Sequence, residues 1–457
     1  MGAAAHAAKI TALRVALQAA GAPRGEATFG LAKPTSNLFR DVARAPPPRI
    51  NLRHFNEVVD VDPAAGTVTA EGMTTYADLV DATLACGVMP CVVPQLKSIT
   101  LGGALAGVGI EATSFRHGLV HESVVAFDVL TGDGRIVHCT PDNEHGALFH
   151  GFPNSYGTLG YALSVTARTQ PVRPFVAVRH RRHATPDACF AELARRCDDP
   201  GIDFVDGVAF GPSEFVVTTG RFVDEAPATS DYTFEQIYYR SLRERAIDFL
   251  GTRDYLWRWD TDWFWCSKQI GAQHPLVRRL LGRERLNSVT YQRVMRWNSR
   301  WGLTRAWQRL RGRHAESVIQ DVDIPLAHCA AFVDFLAREI GIWPVWLCPL
   351  RARKPVARFT LYPLEPATTY VNFGFWDVIE SRTPRPAGHF NRLVEREVAR
   401  LGGLKSLYSD SYYGEEEFWT LHDRPAYADL KRAYDPANAL GDLYAKCVGR
   451  GAPATPH

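Results

Sequence analysis

Alternating apolar and polar positions mark short strands through residues 31–170. Ile50–Leu52 and Val58–Val61 read as extended, Pro63–Gly66 as a turn and Thr67–Glu71 as a half-buried strand. In Thr75–Gly87, Tyr76, Leu79, Val80 and Leu84 share a helical face, Thr75 can cap the start and Gly87 can end it. Ser123–Leu130 and Arg135–Cys139 flank the hairpin signal Thr131–Gly134. Gly146–His150 reads as a helical turn, and Tyr161–Thr169 as a strand before Pro171 and Pro174.

From residue 175 to 400 the order changes. Phe175–His183 reads as a strand, Pro186–Cys197 as a helix, and Phe204–Phe210 and Phe215–Phe222 as strands. The same order returns in Ser317–Ile324, the helix Leu326–Ile340, Trp343–Leu350 and Thr368–Trp376. Strand–helix–strand–strand twice predicts one antiparallel sheet covered by helices, an α+β domain. Between the two copies, residues 231–315 mix arginines with Tyr238, Tyr239, Tyr255, Trp257, Trp259, Trp263, Phe264, Trp265, Trp297, Trp301 and Trp307. Most of these rings are expected in a core; a minority facing outward would suit a lipid interface. At the N-terminus, Ile10, Leu13, Val15 and Leu17 are placed on the apolar side of a short amphipathic helix. Tyr427–Tyr434 is helical in pattern and ends at Asp435–Pro436.

Length sets the scale: 457 residues predict two or three domains. With 46% hydrophobic and 22% charged residues the chain is ordinary globular material. A net charge of +3, without Lys/Arg clusters alternating with aromatics, points away from nucleic acid. The nine cysteines are odd in number and lack C-x-x-C spacing, which argues for reduced thiols in a cytosolic protein. No run approaches the ~18 apolar residues of a membrane span, so a cytoplasmic protein is expected, with peripheral membrane contact as the alternative. The 15 histidines are dispersed without a zinc motif, and no metal is expected.

Candidate chemistry concentrates in Thr100–Gly118, where Gly102, Gly103, Gly107 and Gly109 fall close together. Glycine allows positive φ and close approach of backbone N–H groups to a ligand, and successive N–H groups suit a phosphate. A second small-residue loop is Asn154–Gly160. After Gly107-Val-Gly109 the third glycine of a G-x-G-x-x-G fingerprint is missing and no strong helical pattern begins, so a Rossmann site is disfavoured. G-x-S-x-G and G-x-x-x-x-G-K-[ST] are absent, which weighs against hydrolase and phosphoryl-transfer chemistry.

Four blocks in order carry a resemblance: Leu101–Gly109, Arg116–Gly118, Leu130–Arg135 and Leu148–Gly160. Together they resemble the FAD-binding domain of the vanillyl-alcohol oxidase and p-cresol methylhydroxylase (PCMH) flavoproteins. Thr35–Arg40, Gly109–Glu111, His138–Pro141, Trp343–Pro349 and Glu416–Trp419 extend it to the delta-24 sterol reductases and their bacterial relatives, from about residue 33 to 448.

The resemblance implies an N-terminal segment 1–28, a PCMH-type domain 29–172, a substrate domain 173–400 inserted on its antiparallel sheet, and a segment 401–457 returning to the first domain. It also implies that the backbone of Thr100, Leu101, Gly102, Gly103, Gly107, Val108, Gly109 and Ile110 holds the FAD pyrophosphate. By the same resemblance Ser36 and Asn37 would form a first phosphate turn, Thr158, Leu159, Gly160 and Tyr161 would line the adenine side, and Gly157 would join the cofactor set. Glu111, Ser114 and Gly118 complete the cofactor set. Glu111 stands where some relatives attach the flavin, so non-covalent FAD is expected. NADPH is the expected electron donor, and a hydrophobic or lipid substrate the expected partner. Flavin chemistry on a C=C or CH–CH group needs a proton donor or acceptor; the candidates are Glu111, Tyr408, Tyr412, Tyr413 and Asp321. Asp321, in an apolar strand context, requires a partner if buried. Reduction of a sterol double bond stands beside reduction or desaturation of methyl-branched or unsaturated acyl chains, and beside a flavin or lipid carrier without activity.

Overall fold

The computed structural model describes residues 2–20, 30–33, 39–40, 49–301, 312–353 and 358–448. Helices and two antiparallel sheets make it α+β. In the first sheet, Val58–Asp62, Thr67–Glu71, Tyr161–Pro171, Val124–Leu130 and Ile136–Cys139 lie side by side, and Val88–Pro90 pairs with the far end of Tyr161–Pro171. Thr75 caps the helix Tyr76–Leu84 through its side chain, and Tyr76, Leu79 and Val80 are buried. The N-terminal helix Gly2–Ala20 sets Ile10, Leu13 and Leu17 against Leu52, Phe55 and Leu163. Val15 departs from the expected apolar side and is 60% exposed. Lys9 and His6 of this helix reach the buried Glu71, each at 2.8 Å.

The second sheet has eight strands, and its order explains the repeated element pattern. Phe175–His183, Glu214–Val223 and Phe204–Gly211 mirror His314–Pro325, Thr369–Ser381 and Val345–Arg351, and the halves meet where Val208 pairs with Trp346. One face carries the helices Pro186–Cys197, Cys329–Phe335 and His389–Arg400 on Val205, Phe215, Val322 and Phe373. The single helix expected over Leu326–Ile340 is divided into a 3₁₀ turn, the α-helix Cys329–Phe335 and a π turn ending at Gly341, whose φ is +70°.

The opposite face looks toward the first sheet. Alternation along His314–Pro325 sends Val318, Val322 and Ile324 to the helices and Ser317, Ile319, Asp321 and Asp323 to an interior cavity. Most insertion aromatics fill the space beside it: Tyr238, Tyr255, Trp257, Trp259, Trp263 and Trp265 are buried. Trp297 faces outward, at 58% exposure. Trp307 lies outside the described residues, as do Ser36 and Asn37.

The C-terminal stretch packs on the first sheet. The carbonyls of Tyr434 and Ala433 accept from Asp133 N at 3.1 Å and Arg135 at 2.6 Å. A Cβ at Gly132 would fall 2.2 Å from an Asp435 carboxylate oxygen, so only glycine allows this contact.

Candidate active site

The glycine stretch is a helix where a loop was expected. Thr100 caps Leu101–Ala106, accepting from Gly103 N at 3.2 Å. The amide of Leu101 is spent on Thr74 O and that of Gly102 on Gly72 O, both at 2.9 Å. The first three N–H groups of this segment are therefore committed to the protein, which the phosphate-cradle expectation did not foresee. Capping by Thr100 outweighs the low helix propensity of the glycines.

A cavity of about 1190 Å³ lies between the sheets. It is lined by Thr100, Gly102, Gly103, Gly107, Val108, Gly109, Ile110 and Glu111, and by Gly157, Gly160 and Tyr161. Leu101, Ser114, Gly118, Thr158 and Leu159 are not on its wall. Leu101 is fully buried in the core, and Ser114 caps the amide of Glu111 at 3.1 Å. Gly118, at φ +72°, makes room for Glu122, while Thr158 closes the turn from Ser155.

Of the proton-transfer candidates, Glu111, Asp321 and Tyr408 line the cavity. Tyr412 does not: its ring packs on Gly388 and lies under Arg392, toward the helix His389–Arg400. Glu111 is buried and bonded to Gln95, with Arg258 at 3.2 Å. Arg258 also holds Asp206 at 2.7 Å, and Trp346 donates to Asp206 at 3.3 Å. Burial pushes the Glu111 carboxyl up to about 7, against the pull of Arg258.

Asp321 is placed differently. Its side chain interacts with Tyr408, whose hydroxyl accepts from Trp376 Nε1 at 2.7 Å. Its Oδ1 is buried and bonded to nothing among the described residues. Burial holds the carboxyl well above its ordinary range, and the neighbouring Asp323 adds to this. Asp323 itself is satisfied by Tyr362 at 2.7 Å and Asn372 at 2.8 Å.

Residues 48–140 match the family model for an FAD binding domain. The chain is 25% identical over 408 residues to Delta(24)-sterol reductase of Homo sapiens, covering 85% of this chain and 76% of that one. The same-named protein of Pisum sativum is 24% identical over 449 residues, covering 89% and 77%. Cytokinin dehydrogenase 7 of Oryza sativa subsp. japonica is 33% identical over 150 residues, covering 32% of this chain and 28% of that one. The chain is an FAD-dependent oxidoreductase with a PCMH-type FAD-binding domain.

The oxidoreductase offers the cofactor a suitable wall. The cavity exceeds the ~300–1,000 Å³ of an ordinary small-molecule pocket, which suits a dinucleotide together with a second molecule. FAD carries a diphosphate, and the cations that fit it were not found from the sequence. Lys33 lines the cavity and makes no hydrogen bond or ion pair among the described residues. A Cβ on Gly103 would lie 3.4 Å from its Nζ, so the ammonium stands over the glycine helix. Lys446, from the far end of the chain, lines the same cavity. Burial, helped by Arg40 and Lys33 nearby, lowers its amine to about 8. Arg40 donates to Lys446 O at 3.1 Å, and its Nε and Nη2 have no partner among the described residues. Half-buried cations that repel one another call for an anion between them. Residues 33 and 446 of the flavoenzyme lie too far apart in sequence to advertise the pairing; only Arg40 sits in one of the motifs that carry the family resemblance.

Proposed function

We propose that the flavoenzyme reduces a carbon–carbon double bond of a hydrophobic lipid, a sterol in the first instance, at the expense of NADPH. The observation that carries this is Asp321: a half-buried carboxyl on the wall of a large cavity, held beside the Tyr408 hydroxyl. FAD, when bound, supplies the hydride chemistry. Lys33 and Lys446 would hold its diphosphate, with Arg40 bonded behind Lys446, and binding would be non-covalent.

Tyr408 accepts a hydrogen bond from Trp376 and turns its own hydroxyl to Asp321. Donation therefore runs in one direction and ends on the carboxyl. A neutral Asp321 would deliver its proton to the substrate carbon that does not receive hydride. Trp263, Phe264, Trp346 and Trp376 line the cavity and would exclude water from an apolar substrate. In this proposal residues 29–172 and 401–457 form the FAD domain and 173–400 the inserted substrate domain. Similarity to Delta(24)-sterol reductases over most of the chain supports the sterol choice. The purified protein should show the visible flavin band, and NADPH should bleach it without oxygen. A sterol bearing a side-chain double bond should then restore the band and gain two hydrogens by mass. Restoration only by unsaturated or methyl-branched acyl lipids would replace the sterol with an acyl chain; a band that no reductant-and-lipid pair cycles would leave a carrier.

A further inference from the structure

The helix Pro275–Leu281 is packed inside out. It buries Arg278 against Asp262 and turns Leu276 and Leu280 outward, at 63% and 82% exposure. These two leucines are one turn apart and share a face. The helix Ser288–Trp301 buries Tyr291, yet exposes Val294 and Trp297 at 42% and 58%. Both helices rest on one small core, in which Leu281, Tyr291 and Met295 meet Trp263. Four of the seven exposed large apolar side chains among the described residues fall in this short stretch, so it is a patch and not scatter.

Charge identifies what covers it. Between Pro275 and Arg313 the sequence holds eleven arginines and one acidic residue, Glu284, in a chain of net charge only +3. Arg279, Arg283, Arg285 and Arg293 are exposed around the leucines and Trp297; Arg279 faces Glu235 at 3.7 Å and Arg283 holds Asp231 at 2.8 Å, so Arg285 and Arg293 carry the surplus charge. A second copy of this face would bring like charges together. Leucines at the summit do not suit a nucleic-acid backbone. Arginine surrounding Leu and Trp is the composition of a surface that lies in the headgroup region of an anionic bilayer.

We infer that the helices Pro275–Leu281 and Ser288–Trp301 dock the enzyme on an anionic membrane surface. The patch adjoins the cavity: Met295 of the second helix lines it, and so does Val378, which is 41% exposed. A lipid leaving the bilayer would meet the active site directly beneath. Docking goes beyond the proposed reaction and is read without turnover, so either can fail alone.

The test is co-sedimentation with phosphatidylcholine vesicles, with or without phosphatidylglycerol. The wild-type protein should pellet with the anionic vesicles and be released by high salt. Leu276→Asp/Leu280→Asp should lower the partition coefficient at least tenfold. Arg285→Glu/Arg293→Glu should lower it more than about fivefold per arginine, because each charge reverses. An unchanged flavin band would show that both variants are folded. Three results would overturn docking: wild-type protein left in the supernatant, binding that neither variant weakens, or a wild-type dimer in sedimentation that the leucine variant splits.

Discussion

Trp376 Nε1 donates a 2.7 Å hydrogen bond to the hydroxyl of Tyr408, joining a strand of the large sheet to the C-terminal segment. Tyr408 is thereby fixed beside Asp321, whose Oδ1 has no partner among the described residues. If Asp321 delivers the proton, Asp321→Asn should slow reoxidation of the reduced flavin by substrate roughly a hundred- to ten-thousandfold. Reduction by NADPH should be unchanged in stopped-flow traces. Tyr408→Phe should lose less, since it orients the acid. Burial raises the Asp321 carboxyl, so reoxidation should be fast at low pH and fall as pH climbs through that raised value. Equal losses in both half-reactions would assign Asp321 to structure alone.

Gly374 lies opposite Asp321 in the sheet register. A Cβ there would sit 2.7 Å from Asp321 Oδ1 and 2.6 Å from the Trp376 ring. Gly374→Ala should therefore displace the acid without removing it. The expected result is a fall in reoxidation rate with flavin content retained; a wild-type rate would show that Asp321 need not hold this position.

Lys446 ties cofactor binding to pH. Burial lowers its amine to about 8, from an ordinary 10.5. The charged form binds the diphosphate, so the dissociation constant for FAD should rise as pH increases past about 8. Lys446→Met should weaken binding by about 1.5–3 kcal/mol, the worth of a hydrogen bond to a charged group, and flatten that pH slope. Fluorescence titration with FAD measures both. An unaltered slope in the variant would place the titrating group elsewhere.

Periodicity made the fold legible. Phe175–His183 and Pro186–Cys197 begin and end where the pattern places them, because each has one buried face and a clear stop. The alternation in His314–Pro325 also contained the cavity face, since Asp321 and Asp323 sit two apart on one side of a strand. Two kinds of feature were not legible. Local capping made the Leu101–Ala106 helix against the propensity of its glycines. Long-range charge clusters, such as Lys33 with Lys446 or Glu111 with Arg258, arise only when distant segments fold together. Tyr408 and Tyr412 look alike in sequence, but the segment turns between them. Tyr408 meets the cavity and Tyr412 meets Gly388.

Glu111 and Arg258 belong to a buried network that also holds Asp206, so its three charges join the first region, the insertion and the large sheet. Removing the cation strands two carboxylates in the interior. Arg258→Met should cost about 3–5 kcal/mol of stability, read as a lowered midpoint in urea. Glu111→Gln should be far milder, because Arg258 keeps Asp206 and the amide that replaces the carboxylate can still accept its hydrogen bond. The wild-type carboxyl has a folded pKa of about 7, above its ordinary 4.5. The folded state then holds more protons than the unfolded state between those values, and stability from this group declines as pH rises from 4.5 to 7. In Glu111→Gln that decline should vanish while Asp321-dependent reoxidation persists. A variant that instead keeps the wild-type stability profile and loses reoxidation would move Glu111 from the scaffold into the chemistry.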